Sequence, residues 1–407
     1  MVTVVEIGST KVVAIAASMA SVPGSDAQRL EVHGLVVMDS RGLKKGAIVD
    51  LDAASRSIDS ALRHLAHDLG KDEINEVSLV ISGPQIEGST VQGFKPIIPK
   101  NRAITNQDVM EVVNHSRSGI FPPDRVQIQA IPREFRLDEQ RSTAKPVGKS
   151  GGKLEVISYL VTGLSTHVHN FDQAVKMTGR EVEQMVFGPL ASGLGVLSQA
   201  ELDKGTVVVD MGATKADLSI FVNGALAYAT CIPVGGANVT NDLCQLLNCD
   251  AEEAERLKIG YGVAIAEGIS EKEAIEVRQL GQPTARPMQR KVLCEIIESR
   301  MKEVAKIVRQ HVEKSGYGGV LEGGLVLTGG GSQLPKTKEL FASALNGMTV
   351  RVSEPSIKNG RGQVGLAAAV GAISFLLQTS DELSPIAGSE SWQDRVKGLW
   401  SMLSGKN

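Results

Sequence analysis

The first eighteen residues alternate between apolar runs and a polar interruption. Val2 to Ile7 is apolar and β-branched, Gly8-Ser9-Thr10 is a turn, and Lys11 to Ala17 is apolar again. The pattern predicts strand, turn, strand. It returns half-way along the chain. Val207 to Val209 leads into Asp210-Met211-Gly212-Ala213-Thr214-Lys215, and a second strand follows from Asp217 to Val222. VVEIGSTK and VVDMGATK are one device written twice: apolar strand, acidic residue, apolar residue, Gly, small residue, Thr, Lys. Two copies, each opening one half of the chain, predict a duplicated α/β domain.

Between and after these hairpins the periodicity switches repeatedly. Ala54, Ile58, Ala61, Leu62 and Leu65 form a helical stripe within 53–69, and Val77 to Ile81 reads as a buried strand ending at Ser82-Gly83-Pro84. The stretch from about Gln85 to Tyr159 has a different texture. Short strands, a helix over 105–116 with Asn106 as its cap, and strands over 127–135 and 155–161 predict a small inserted α+β unit. Further helices are expected over 168–178, 188–197, 241–247, 250–261, 289–313, 334–345 and 365–377. Strands are expected over 183–186 and 324–328. In the long helix the expected buried side carries Val292, Ile296, Ile297, Met301, Val304, Ile307 and Val308. Residues 378–390 are polar, with a Pro and a Gly, and read as a linker.

Composition narrows the function. The 407 residues suffice for two or more domains, and 42% hydrophobic with 22% charged is an ordinary globular balance. Lys+Arg 43 against Asp+Glu 46 gives a net charge of -3, which argues against a nucleic-acid binder. Cys231, Cys244, Cys249 and Cys294 form no CxxC pair, so free thiols in a reducing cytoplasm are expected. No signal peptide and no spanning helix are expected.

The chemistry concentrates in the two hairpin tips. Gly8, Ser9, Thr10 and Lys11, with Gly212, Ala213, Thr214 and Lys215, offer backbone N–H groups, hydroxyls and cations to phosphate oxygens. Glu6 and Asp210 cannot sit against phosphate. They can hold the waters of a bridging Mg²⁺ ion. Two such hairpins across a cleft would clamp a nucleoside triphosphate. Two more glycine-rich turns, Pro233-Val234-Gly235-Gly236 and Leu327-Thr328-Gly329-Gly330-Gly331-Ser332, each precede a helix and could meet the same ligand. His167 and His169 alternate along a strand-like run without a third metal ligand nearby, and read as ordinary histidines.

Together these motifs resemble the actin, Hsp70 and sugar-kinase superfamily, and over about the first 380 residues the chain is similar to the FtsA family within it. The likeness runs through Ser82-Gly83, Ile131-Pro132-Arg133-Glu134-Phe135, Gly188-Pro189-Leu190-Ala191-Ser192, and Phe221 to Ala225. It continues through Ile232 to Gly236, Val239 to Asp242, Glu252 to Gly262, and Leu327 to Leu334. The resemblance implies an actin-like fold, two lobes around an ATP cleft, with an inserted small α+β subdomain in place of actin's second small one. Its implied divisions are subdomain 1A over 1–84 and 163–200, inserted subdomain 1C over 85–162, and 2A over 201–236 and 316–358. Subdomain 2B spans 237–315, a return helix 359–379, a linker 380–390 and a tail 391–407. It places Glu255 and Lys258 near ribose and adenine, and Gly329 to Gly331 near the adenosine. Against the family pattern, Glu6 stands for Asp, Ala213 for Gly, and Gly188 for the Glu that positions the attacking water. Weak ATP hydrolysis at most is therefore expected.

The tail adds a separate signal. Trp392, Val396, Leu399, Trp400 and Leu403 fall on one helical face with Arg395, Lys397 and Lys406 around it, the pattern of an interfacial membrane helix. The resemblance implies self-assembly into filaments and recruitment of the tubulin-like protein FtsZ and other division proteins at the cytoplasmic face of the membrane. A small-molecule kinase or a pilus or secretion-assembly actin homologue on the same fold are the competing readings.

Overall fold

The computed structural model describes residues 1–21, 28–118, 121–138, 140–141, 146–355, 357 and 365–382. The two hairpins each seed a five-stranded sheet of the same plan. In the first sheet the strands run Glu181–Phe187, Glu76–Ile81, Val2–Ile7, Lys11–Ser21, Gln28–Asp39. In the second they run Val350–Val352, Gly324–Thr328, Thr206–Met211, Ala216–Val222, Ala225–Ile232. Each is an antiparallel three-strand meander whose first strand also pairs in parallel with a later crossover strand. The duplication read from VVEIGSTK and VVDMGATK is therefore a duplication of topology.

Strand alternation explains how the hairpins are buried on both faces. From the first, Val5, Ile7, Val12, Ala14 and Ala16 point into a core with the helices Leu51–Asp68 and Ser165–Lys176, while Val4, Val13, Ile15 and Ala17 point to the opposite side, against the helix Ala367–Glu382. In the second, Val207, Val209 and Met211 meet the helices Gly236–Leu247, Arg290–Lys314 and Thr337–Ala344. Val208 instead faces the first lobe's core, together with Phe221 and Val326. The helix Gly188–Val196, with Pro189 in its first turn, lies between the lobes and joins that shared core through Leu190 and Val196.

The inserted unit is a four-stranded sheet, Ile86–Pro96, Lys153–Leu164, Arg125–Leu137 and Gln140–Arg141 in that order, covered by the helix Asn106–Arg117. Its own core is Ile97, Ile104, Val112, Phe135, Leu154 and Val156. It docks on the second lobe through the buried Tyr159, whose hydroxyl accepts from the Ala229 N–H at 2.9 Å and donates to its carbonyl at 3.2 Å.

Several local expectations are corrected. The cap of the inserted helix is Thr105, not Asn106: its hydroxyl accepts from the Asp108 N–H at 3.3 Å and the Asp108 carboxylate takes the Thr105 N–H at 2.9 Å, a reciprocal box that Asn106 cannot form. His167 and His169 lie in a helix rather than a strand. Two residues apart there, they face different ways, His167 buried and His169 exposed. In the long helix the buried stripe runs through Leu293, Cys294, Ile297, Met301, Val304, Ala305, Val308 and Val312, leaving Val292 exposed and Ile296 and Ile307 at the margin. The last described helix continues through Glu382, into the expected linker. The strand Ala225–Ile232, the edge of the second sheet, was not anticipated. Trp392, Val396, Leu399, Trp400 and Leu403 lie outside the described residues.

Candidate functional site

The tips of the two hairpins meet. Gly8 N–H closes its turn on the Lys11 carbonyl at 2.8 Å and Gly212 N–H closes the other on the Lys215 carbonyl at 2.9 Å. Across the gap Ser9 Oγ and Thr214 Oγ1 are hydrogen-bonded at 2.5 Å, although the residues are 205 apart in sequence. The carbonyl of Thr10 accepts from Ser40 N–H, which fastens the first tip to its own lobe.

The glycine-rich turns gather behind the second tip. Gly236 N–H donates to the Gly212 carbonyl at 3.0 Å and Ala237 N–H to the Ala213 carbonyl at 2.7 Å. A β-carbon on Gly235 would sit 2.5 Å from the Gly212 carbonyl oxygen, so only glycine lets this turn approach. Gly329 has φ +81°, and a β-carbon there would lie 2.3 Å from Asp210 Oδ1. Gly331 backs onto Met211, whereas Gly330 faces open space. Lys258 Nζ donates to Glu255 Oε2 at 2.6 Å, Thr240 Oγ1 at 3.0 Å and the Gly236 carbonyl at 3.3 Å, and Thr240 Oγ1 donates to Glu255 at 2.6 Å. Glu255 and Lys258 thus tie the helix Ala251–Tyr261 to the same turn. Of the residues singled out in the sequence, the first tip, the second tip, Gly235, Gly236, Glu255, Lys258 and Gly329 to Gly331 form one neighbourhood.

The two acidic residues differ in their surroundings. Burial pushes the Glu6 carboxyl up to about 7, with Lys11 pulling the other way and Asp210 adding to the rise. Its Oε2 is buried with no hydrogen-bond partner among the described residues. Asp210 is also raised by burial, but Ser192 Oγ donates to it at 2.6 Å and moderates the effect. Lys11 Nζ donates to the Gly365 carbonyl.

A second cluster joins the two lobes. Lys215 Nζ pairs with Asp217, and Ser82 Oγ, from the opposite lobe, contacts both Asp217 oxygens at 2.6 and 2.7 Å. Gly188 lies against it: a β-carbon there would be 2.8 Å from Ser82 Cβ and 3.5 Å from Asp217 Oδ2. A Glu at this position would need Ser82 to move. The roles of Ser82, Ser192, Thr240 and Asp217 were missed. Ser82, Ser192 and Thr240 lie in segments that carried the family resemblance, and Asp217 falls two residues after Lys215 and therefore on the same side of an extended chain. Among the described residues no group of three His, Cys, Asp or Glu is arranged to hold a metal by itself.

Comparison with known proteins decides between the competing readings. The sequence model described as cell division protein FtsA matches residues 207–371, and that of the SHS2 domain inserted in FtsA matches 83–162. The FtsA of Neisseria meningitidis serogroup B is 32% identical over 360 residues, 88% of this chain and 85% of the relative. The chain belongs to the FtsA family. It is an actin-like cell-division protein, and the kinase and pilus readings give way to that assignment. Solved structures agree on the fold. The PilM-PilN type IV pilus biogenesis complex matches with a TM-score of 0.63 at 16% identity, covering 92% of this chain and 98% of that one. MreB5 of Spiroplasma citri, solved bound to ADP, matches at 0.56 and 13%, covering 95% and 99%. No described helix is long and apolar enough to cross a membrane.

Proposed function

We propose that this chain binds ATP with Mg²⁺ between the two hairpin tips, turns it over slowly or not at all, assembles into filaments, and tethers FtsZ to the cytoplasmic face of the membrane through its C-terminal tail. The observation that carries the nucleotide reading is the meeting of Ser9 and Thr214 at 2.5 Å, with the backbone of Gly212, Gly235 and Gly236 packed directly behind. Such an arrangement would bring hydroxyls of both lobes to one anion. Gly8, Ser9, Thr10 and Lys11 would take one side of the phosphates, and Gly212, Ala213, Thr214 and Lys215 the other. Glu255 and Lys258 would border the ribose and adenine, and Gly329 to Gly331 the adenosine. The buried, unpartnered oxygen of Glu6 beside Asp210 suits the waters of a metal ion, and these two carboxylates would hold Mg²⁺ through them. The ion supplies charge neutralisation at the phosphates. Gly188 offers no side chain to orient an attacking water, and Ser82 and Asp217 crowd its place, which supports slow turnover. Nucleotide would then act chiefly by fixing the angle between the lobes.

Thermal stabilisation that grows with Mg-ATP concentration tests the binding. Absence of stabilisation by any nucleotide refutes it, and phosphate release at the rate of an active ATPase refutes the slow turnover. For the tail, the face of Trp392, Val396, Leu399, Trp400 and Leu403 would bury in the headgroup boundary, worth roughly several kcal/mol at about 25 cal/mol per Å². Truncation after Asp381, or Trp400→Glu, is expected to keep nucleotide binding and lose co-sedimentation with anionic liposomes. Undiminished lipid binding in either variant removes the tail as anchor. Co-sedimentation of FtsZ with those liposomes only when this chain is present tests the tether.

A further inference from the structure

The inserted unit belongs to the first lobe by chain connection and to the second by contact. The chain leaves the first sheet at Ile81, turns through Ser82 and Gly83, and returns through Leu164 to the helix Ser165–Lys176. These two crossings are its covalent ties to the first lobe. Its side chains reach the strand Ala225–Ile232, the edge of the second sheet. The Tyr159 hydroxyl answers both backbone groups of Ala229, at 2.9 and 3.2 Å, as a neighbouring strand would. The unit's own first strand makes room for the ring: a β-carbon on Gly88 would collide with the Tyr159 ring and hydroxyl. The side chain is buried, and burial pushes its hydroxyl up to about 12, so it keeps the proton it donates. A second contact comes from the strand Arg125–Leu137. Arg133 donates to the Tyr317 hydroxyl at 3.0 Å, with its guanidinium 5.9 Å from the centre of that ring. On the receiving side the Tyr228 hydroxyl is hydrogen-bonded to His311 Nδ1 of the long helix at 3.1 Å, so the edge strand is itself anchored.

We propose that the inserted unit is a strap across the two lobes, latched by Tyr159 on Ala229 and by Arg133 on Tyr317, and that releasing the latch lets the lobes part and nucleotide leave. The inference rests on the nucleotide reading above and concerns how that site opens. A rotation of one lobe on the other must either break these bonds or carry the inserted unit with the second lobe, turning it about Ser82-Gly83 and Leu164. Opening also gives up Ser9–Thr214 and Ser82–Asp217, which span the same two lobes. All these contacts belong to one rigid-body motion, so weakening the strap raises the population of the open form at the tips as well. Without the Tyr159 hydroxyl, the buried Ala229 N–H and carbonyl lose their partner in the latched form and regain one from water only in the open form. That difference shifts the balance toward the open form by about tenfold.

The experiment compares the full chain with Tyr159→Phe and Gly88→Ala in two readouts. Gly88→Ala keeps the hydroxyl but pushes the ring off Ala229. Release of a fluorescent ATP analogue, loaded with Mg²⁺ and chased with ATP, is expected to be about tenfold faster in both variants. Backbone amide exchange without nucleotide is expected to quicken by about tenfold in 225–232 and also at the tips, 8–11 and 212–215, while Val207 to Val209 stays protected. A role confined to local packing would quicken 225–232 alone. Should Tyr159→Phe fail to melt cooperatively, Gly88→Ala decides. Unchanged exchange at the tips, or release as slow as from the unaltered protein, overturns the strap. If the unaltered chain binds no nucleotide, the nucleotide reading falls, and exchange at the tips still decides whether the strap holds the lobes.

Discussion

The two hairpins share a backbone and differ in what surrounds their side chains. Both close Gly N–H on a Lys carbonyl, and both pair their first strand with a parallel crossover strand. At the second, Asp210 is held by Ser192, Lys215 by Asp217, and the tip by the Gly235-Gly236 turn. At the first, Glu6 keeps an oxygen buried with no partner among the described residues. Duplication therefore copied the loop but not the network that fixes its charges. The second half has its charged groups held by protein partners, and the first carries a buried carboxyl oxygen that has none among the described residues.

The largest effect expected from breaking this asymmetry is at the support of the second tip. Gly235→Val would force a branched side chain into the Gly212 and Ala213 carbonyls, costing about 3 kcal/mol or more and abolishing stabilisation by Mg-ATP. Thermal melts with and without nucleotide read both. Next comes the Glu6 carboxyl. Because its folded pKa, about 7, lies above the ordinary 4.5, the fold binds an extra proton between those values. Its contribution is full below pH 4.5 and is lost as pH rises through 7, on the order of 3 kcal/mol. Glu6→Gln is expected to flatten that part of the pH–melting profile, and an unchanged profile would mean Glu6 ionises freely. Asp210→Ala removes the better-held carboxylate and is expected to weaken Mg-ATP binding by about tenfold, measured by calorimetry on folded protein. The smallest effect is at the junction of the tips. A double-mutant cycle of Ser9→Ala and Thr214→Ala is expected to give a coupling of about 0.5–1.5 kcal/mol in stability, and zero coupling would mean the tips do not meet in solution.

Much of this was legible in the sequence because it is local. Strand alternation around Gly8 and Gly212 specified both hairpins, and their repetition specified the duplicated sheets. The inserted unit announced itself by a change of texture near Gln85. What stayed hidden depends on long-range packing. Ser82 and Asp217 are 135 residues apart and meet only because the lobes do. The stripe of the long helix was misread by part of a turn, since Val292 is apolar yet exposed while Cys294 and Ala305 are buried. The two-residue spacing of the histidines suggested a strand, but the helix expected from 168 begins at Ser165 and takes in both, with Val168, Phe171 and Val175 packed in the first core.

The central claim is that the two tips together clamp a nucleotide, and the most direct measurement is titration of the folded full chain with Mg-ATP beside Gly212→Val. The account predicts saturable binding to the unaltered protein and its loss in the variant, where a branched side chain stands where backbone must meet phosphate. Equal affinity in the two folded proteins would contradict it, because the second tip would then be only a turn between strands.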